Sequence, residues 1–325
     1  MTTLREWALE QRLEQVRALA RDNPAFLQFF ESGYSPEDIR HIDEKCVIFS
    51  LADDRSKSLK YVIDPEDGHR LSSVLQAIVL RGLKNQTAVQ GIPGVQVLDS
   101  GVFYEGIAGL LGPFHYLEGF NLAHPDPSFV QEPDRVLHLF QEQLEKETLV
   151  GIHKKQTIHR DVKPGNIVYS NNRLWLIDWS TAANFTEALR DLDANRFLGT
   201  LGYMTYDVDR SRDYFALGAS LAKVLCPELT LHGPLRIYEF EENARNALRR
   251  KFGKSFEAYF SDLVHRPSEY DHGLIRYIDS PEGLGVDPNF TFAVGNTYHV
   301  ESGPCQLGQV RGSADDTWIH ERELP

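Results

Sequence analysis

The sequence predicts an α+β fold, strand-rich at first and then mainly helical. Three observations carry that expectation. Residues 45–64 hold two β-branched and aromatic runs around an acidic turn. Residues 134–156 place apolar side chains along one helical face. Residues 166–177 read as a hairpin, Asn166–Ser170 and Arg173–Ile177, closed by a short polar turn.

Taken in order, residues 4–31 repeat Leu4, Trp7, Leu9, Leu13, Val16 and Leu19 at helical spacing until Asn23-Pro24 breaks the pattern. This N-terminal helix is expected to pack on the main domain. Cys46–Leu51 and Leu59–Ile63 are strands, Leu71–Leu83 a helix closed by Lys84-Asn85, and Ile92–Leu98 and Val102–Leu111 further strands. Asp134 caps the strong helix that follows, and His153 ends it as a packing residue. Leu221–Leu225 lies in a buried helix, and Glu241–Phe252 and Ser255–Val264 are amphipathic. From about Ser280 the chain is rich in Gly, Pro and Asp without period, which reads as an irregular tail.

Composition narrows the function classes. The chain has 325 residues, 42% hydrophobic and 25% charged, enough for two lobes and a sizeable core. A net charge of −13 argues against a non-specific nucleic-acid binder or an anionic-membrane binder. Cys46, Cys226 and Cys305 are scattered without metal-ligand spacing, which favours a reducing intracellular compartment, cytoplasmic or nuclear. No signal-peptide pattern follows Met1, and no apolar run reaches membrane-spanning length.

The chemistry concentrates in residues 159–180. His159-Arg160-Asp161-Val162-Lys163-Pro164-Gly165-Asn166 precedes one apolar run, and Asp178-Trp179-Ser180 follows another. Two carboxylates and an amide at one end of a hairpin suit a hard cation, and a nearby lysine can neutralise phosphate. This wording resembles the catalytic and metal-binding loops of the protein-kinase superfamily.

That resemblance implies a bilobal fold with a small β-rich N-lobe (37–119), a larger helical C-lobe (120–280), an N-terminal helical extension (1–36) and the tail (281–325). It implies ATP and Mg²⁺ as cofactors. Asp161 would orient the attacking hydroxyl and accept its proton, Lys163 would neutralise the γ-phosphate, and Asn166 and Asp178 would hold Mg²⁺. Lys60 falls where the family's phosphate-holding lysine sits, and Tyr116-Leu117-Glu118 would form the hinge to adenine. Gly199-Thr200-Leu201-Gly202-Tyr203-Met204 resembles the end of an activation segment, and Arg212-Asp213-Tyr214 the start of the helix after it. Thr200 would then bond Asp161 and Lys163, Asp213 would brace the catalytic-loop backbone, and Arg160 would support the site. Arg266 would be the partner of Asp207.

Departures from the pattern fall mostly in the small lobe. No G-x-G-x-x-G precedes the first strand; Ile39–Lys45 stands there instead. An acid such as Asp43 or Glu44 at ~6 Å from a phosphate would repel it by about 3 kcal/mol at an effective dielectric near 20. The helix after Lys60 lacks the expected glutamate, with Ser73 and Gln76 nearest, and Ser180 stands in place of glycine. Thr181 and Thr186 offer phosphorylation sites, whereas Asp191 and Asp193 offer standing negative charge near Arg160. The leading expectation is a serine/threonine protein kinase acting on protein substrates. Its alternatives are a pseudokinase scaffold and a small-molecule phosphotransferase of the aminoglycoside or choline type, which shares Ile177-Asp178-Trp179. The sequence identifies no regulatory partner.

Overall fold

Pairing of the β-branched runs produces a four-stranded antiparallel sheet in the order β1-β2-β3-β4. β1 is Tyr34–Ile42, β2 Cys46–Leu51, β3 Lys57–Val62 and β4 Leu110–His115. Pro36 cannot donate to a ladder, which suits β1 to the edge, and the β1–β2 register shifts between Tyr34 and Ile39. Phe49 and Leu59 face each other across β2 and β3 and are buried. The computed structural model describes residues 34–42, 46–51, 56–62, 73–98, 110–193, 197–200, 202–205, 209–231, 237–267, 290–294, 296–298 and 317–322. The expected N-terminal helix and Asp43, Glu44 and Asp207 lie outside the described residues.

The chain divides into two compact units, Met1–Leu80 with Gln96–Leu117, and Arg81–Val95 with Glu118–Pro325. The division passes through helix α1, Ser73–Ala88. The sequence expects this helix to stop at Lys84-Asn85, but it runs on to Ala88. Asn85 is no stop signal because its buried amide donates to Arg81 O, Ala182 O and Glu187 Oε2. Tertiary partners override its weak helix propensity. The strand expected at Ile92–Leu98 is reduced to two isolated bridges, Val95 with Leu176 and Leu98 with Phe114.

In the second unit β5 (Phe120–Asn121) precedes the short helix α2, Pro127–Val130. The predicted helix of residues 134–156 is continuous but not uniform: α3, Pro133–Leu139, passes through a π-helical stretch, Phe140–Leu149, into α4, Val150–Lys154. Val150 N–H donates to Glu145 O, and the Thr148 hydroxyl donates to Gln143 O and Pro93 O. Such widened i→i−5 turns make room for backbone contacts from outside the helix. β6 (Thr157–Ile158) pairs with β9 (Ala183–Asn184), and β5 pairs with the hairpin of β7 (Ile167–Ser170) and β8 (Arg173–Leu176). Asn171 and Asn172 close the hairpin at φ 51 and 58, the left-handed region that asparagine tolerates in tight turns.

Helix α5 (Phe185–Asp193) and strand β10 (Phe197–Thr200) follow. Helix α6, Arg210–Leu225, is buried on nearly every side, and α7 (Ile237–Phe252) and α8 (Lys254–Val264) pack around it. Phe140, Leu144, Ile152, Leu217, Leu221, Phe240 and Phe260 share one core. Burying Asp213 and Arg212 inside such a core requires partners for both, and His153, the backbone of His159 and Arg160, and the Leu198 carbonyl supply them. The stretch read as an irregular tail carries strands β11 (Phe290–Val294), β12 (Asn296–Tyr298) and β13 (Thr317–Arg322), with β13 against β10. Alternation of Phe290, Phe292 and Val294 suits a strand despite the surrounding composition. No helix among the described residues is long and apolar enough to cross a membrane.

Candidate active site

The polar block follows β6 as a loop and enters β7 through a 3₁₀ turn, Pro164–Asn166. Four predicted residues meet there. The Lys163 ammonium donates to Thr200 Oγ1 at 2.7 Å, and the Thr200 hydroxyl donates to Asp161 Oδ1 at 2.5 Å. Lys163 Nζ also lies 3.3 Å from Asp161 Oδ2. Asn166 Nδ2 donates to Asp161 Oδ2 at 2.8 Å and to the Asp161 carbonyl at 2.9 Å. Because this nitrogen serves both bonds, Oδ1 of the same amide remains an acceptor.

A second carboxylate holds the loop backbone. Asp213, fully buried on α6, accepts the N–H groups of His159 and Arg160, each at 2.8 Å, and the Nε2–H of His153 at 3.0 Å. Burial works to raise the Asp213 pKa, but the His153 hydrogen bond, nearby charge and the loop amide outweigh it and hold it below the usual value. Arg160 sits at φ 72, in the left-handed region, so three anchors restrain a conformation that a non-glycine residue rarely adopts. Besides Asp213, Arg212 donates to Arg160 O and to Leu198 O, and Thr181 Oγ1 donates to His159 O at 3.2 Å. Gly199, at φ 143, lets Arg212 pass: a Cβ there would stand 2.4 Å from its Nη2.

His159 has one tautomer in this network. Its Nδ1 accepts the Asp161 N–H at 3.3 Å, so Nε2–H donates to Ile177 O at 3.0 Å. Burial lowers the pKa of this ring, partly offset by the carboxylates of Asp213, Asp161 and Asp178. The ring stacks edge-on against Trp179 at 4.7 Å.

Asp178 lies beyond the hairpin at φ 57, and its Oδ1 accepts from Ser180 Oγ at 2.9 Å. The Ile177 N–H donates to Asn166 O at 2.9 Å, which ties the base of the hairpin to the turn holding Asn166. Asn166 and Asp178 offer hard oxygen donors of the kind Mg²⁺ takes. Among the described residues no group of three or more His, Cys, Asp or Glu could hold a metal ion. Two such donors fit an ion that completes its shell with oxygens from outside the protein.

The remaining predicted residues have these positions. Lys60, half-buried on β3, pairs with Ile48 and Leu111 in the first unit. Tyr116 donates its N–H to Ser56 O at 2.6 Å, and Leu117 closes the same unit. Glu118 opens the second unit, exposed, with its carbonyl accepting from Ser170 Oγ at 2.5 Å. Arg266 engages Glu145 and Asp262 and lies over the Tyr214 ring at 4.0 Å.

Sequence reasoning missed the residues that hold this loop from α1. Arg81 donates to both oxygens of Asp191 at 2.9 and 2.7 Å, beside the expected negative charge near Arg160, which donates to Asp191 Oδ2 at 2.6 Å. Gly82 lets α1 approach the loop after Asp178; a Cβ there would be 2.1 Å from Trp179 O. Asn184 and Glu187 cap α5 reciprocally: the Glu187 N–H donates to Asn184 Oδ1, and the Asn184 N–H to Glu187 Oε2, each at 2.9 Å. The Asn-x-x-Glu spacing was a readable signal for that helix start.

Comparison with known proteins agrees with this geometry. The family model described as the protein kinase domain matches residues 133–275. A probable casein kinase I homolog of Encephalitozoon cuniculi (strain GB-M1) is 25% identical over 167 residues, which cover 49% of this chain and 49% of that protein. The match thus spans about half the length of that relative.

Proposed function

We propose that this chain, which belongs to the eukaryotic-type protein kinase superfamily, transfers the γ-phosphate of ATP, with Mg²⁺, to serine or threonine hydroxyls of a protein. The observation that carries the reading is the closed arrangement of Asp161, Thr200, Lys163 and Asn166. The substrate hydroxyl oxygen bonds to the γ-phosphorus, the bond from that phosphorus to the β-bridging oxygen breaks, and ADP leaves. Asp161 orients the hydroxyl and takes its proton, and Lys163 neutralises charge on the moving phosphoryl group. Asn166 and Asp178 would hold Mg²⁺, which when bound supplies charge neutralisation between the phosphates. Lys60 would hold the phosphates, and the backbone of Tyr116, Leu117 and Glu118 would receive adenine.

A protein acceptor is supported by the kinase-domain match and by the relative's name as a casein kinase I homolog. Lys163 on the catalytic loop favours Ser/Thr over Tyr specificity. The missing glycine-rich loop favours a second reading, a scaffold that keeps the fold but transfers little phosphate. One titration separates the two. Mg-ATP at about a hundred times its dissociation constant should stabilise the chain by ~2.7 kcal/mol. Transfer to protein or to the chain itself should accompany that shift and disappear in Asp161→Ala. No shift at millimolar nucleotide would defeat the kinase reading. A shift without transfer would establish the scaffold, and transfer to amino-sugars or amino-alcohols alone would make the acceptor a small molecule.

A further inference from the structure

We infer that Asp191 is a positioning residue for phosphoryl transfer: it clasps Arg81 and Arg160 and so orders the catalytic loop without phosphorylation of Thr181 or Thr186. The inference rests on the reading that Asp161 and Lys163 carry the transfer.

Three elements converge on one carboxylate. Arg81 comes from α1, Arg160 from the catalytic loop and Asp191 from α5, with N–O separations of 2.6 to 2.9 Å. The Arg160 and Asp191 side chains are each 3% exposed, and that of Arg81 18%. Two guanidiniums share this one carboxylate in a largely buried site, with Asp213 the other anion acting on Arg160. Without Asp191 the two cations would lose the anion between them and repel each other across the gap.

Arg160 has little freedom to accommodate that change. Its N–H is fixed by Asp213, its carbonyl accepts from Arg212, and its φ is 72. A displaced side chain would therefore strain the peptide leading to Asp161, the next residue. The clasp is braced from both sides. Asn85, one turn beyond Arg81, donates to Ala182 O and Glu187 Oε2, and the Asn184–Glu187 cap fixes the start of the helix that carries Asp191.

The same geometry leaves no role for an added phosphate at Thr181. That hydroxyl is buried and already donates to His159 O. Thr186 is exposed and its neighbour at i+4 is the exposed Arg190, so a phosphate there has a cation on its own helix, whereas Arg81 and Arg160, which reach the catalytic loop, are already engaged by Asp191.

The test compares the full chain, before and after phosphatase treatment, with Asp191→Asn, Asp191→Glu and Arg81→Met. Phosphatase should leave the wild-type transfer rate unchanged. Asp191→Asn should lower kcat by about tenfold to a hundredfold, the scale of a small misplacement of catalytic groups, with a much smaller change in nucleotide KM. Amide exchange should accelerate in the peptide spanning 157–166 but not in α7 or α8. Asp191→Glu should recover part of both effects. Arg81→Met should shift both in the same direction by less, and it replaces Asp191→Asn if that variant does not fold. Unchanged kcat and exchange in the variants would overturn the inference, as would a wild-type rate that collapses on phosphatase treatment. If the wild-type chain transfers no phosphate at all, the reading of Asp161 and Lys163 falls. Exchange then decides the clasp alone: lost protection in Asp191→Asn retains it, and unchanged protection ends it.

Discussion

Asp161 and Asp191 are both buried carboxylates beside Arg160, yet they are satisfied by different kinds of donor. Asp161 receives a hydroxyl, an amide and a single ammonium. Asp191 receives two guanidiniums, one of them by both of its oxygens. A hydroxyl can rotate and an ammonium can shift, so Asp161 can trade one donor for another at small cost, as the proposed transfer would require. Two planar forks around one carboxylate allow no such exchange. Burial works to raise the Asp191 pKa, but the Arg81 hydrogen bond and the Arg160 charge hold it below the usual carboxylate value. Asp213, bound to backbone amides, belongs with Asp191. The loop thus carries one carboxylate whose donors can exchange and is held by two, on α5 and α6, whose donors cannot.

The largest expected effect would break or confirm that division. Asp213→Ala leaves the buried N–H groups of His159 and Arg160 without an acceptor and should cost about 3–5 kcal/mol in chemical denaturation. Asp161→Ala should cost about 1–2 kcal/mol, because Asn166 keeps the Asp161 carbonyl and Lys163 keeps Thr200. Transfer should nonetheless fall by about 10²–10⁴. Equal losses of stability in the two variants would erase the distinction.

An intermediate effect probes the attachment of α1. Replacing an exposed helical glycine by alanine ordinarily stabilises by about 1 kcal/mol. Gly82→Ala should instead destabilise by about 1–3 kcal/mol, since its methyl would collide with the carbonyls of Trp179 and Ser180. A raised melting temperature would mean that the helix does not seat there.

The gentlest effect is a pH dependence of the unmodified chain. His159 is depressed below its ordinary 6.5 by burial, so the unfolded state binds the proton first. Its contribution to stability is complete above about pH 6.5 and declines as the pH falls towards the folded-state value. Asp191 and Asp213 are depressed below 3.8, so their contribution is lost only at lower pH still. Thermal melts should therefore show a loss beginning below neutrality and a second in strong acid. A flat profile between pH 7.5 and pH 5 would contradict the buried neutral ring.

What could be read from the sequence follows the range of each interaction. Asp161, Lys163 and Asn166 lie within six residues and share one turn, so their types and spacing suffice to associate them. Strongly periodic stretches such as 134–154 and 237–264 carry their secondary structure locally. Arg81 and Asp191 are 110 positions apart, and neither residue type nor spacing marks them as partners. Asn85 looks like a helix terminator until the backbone of Ala182 is brought beside it. Residues 159–166 were legible because their chemistry is local, and Asp191 could be read as negative charge near Arg160, whereas the arginine that completes the clasp, Arg81, joins it only once the chain has folded.

The hairpin between the two chemical loops acts as a ruler. Its register runs from Ile167 against Leu176 to Ser170 against Arg173, with Asn171-Asn172 as the whole turn. Every residue added to that turn must be absorbed by sliding one strand past the other, and a slip of one position exchanges the faces of β8. The spacing of Asn166 and Asp178 is thus set at the far end of the hairpin from both of them, by the two asparagines that close it.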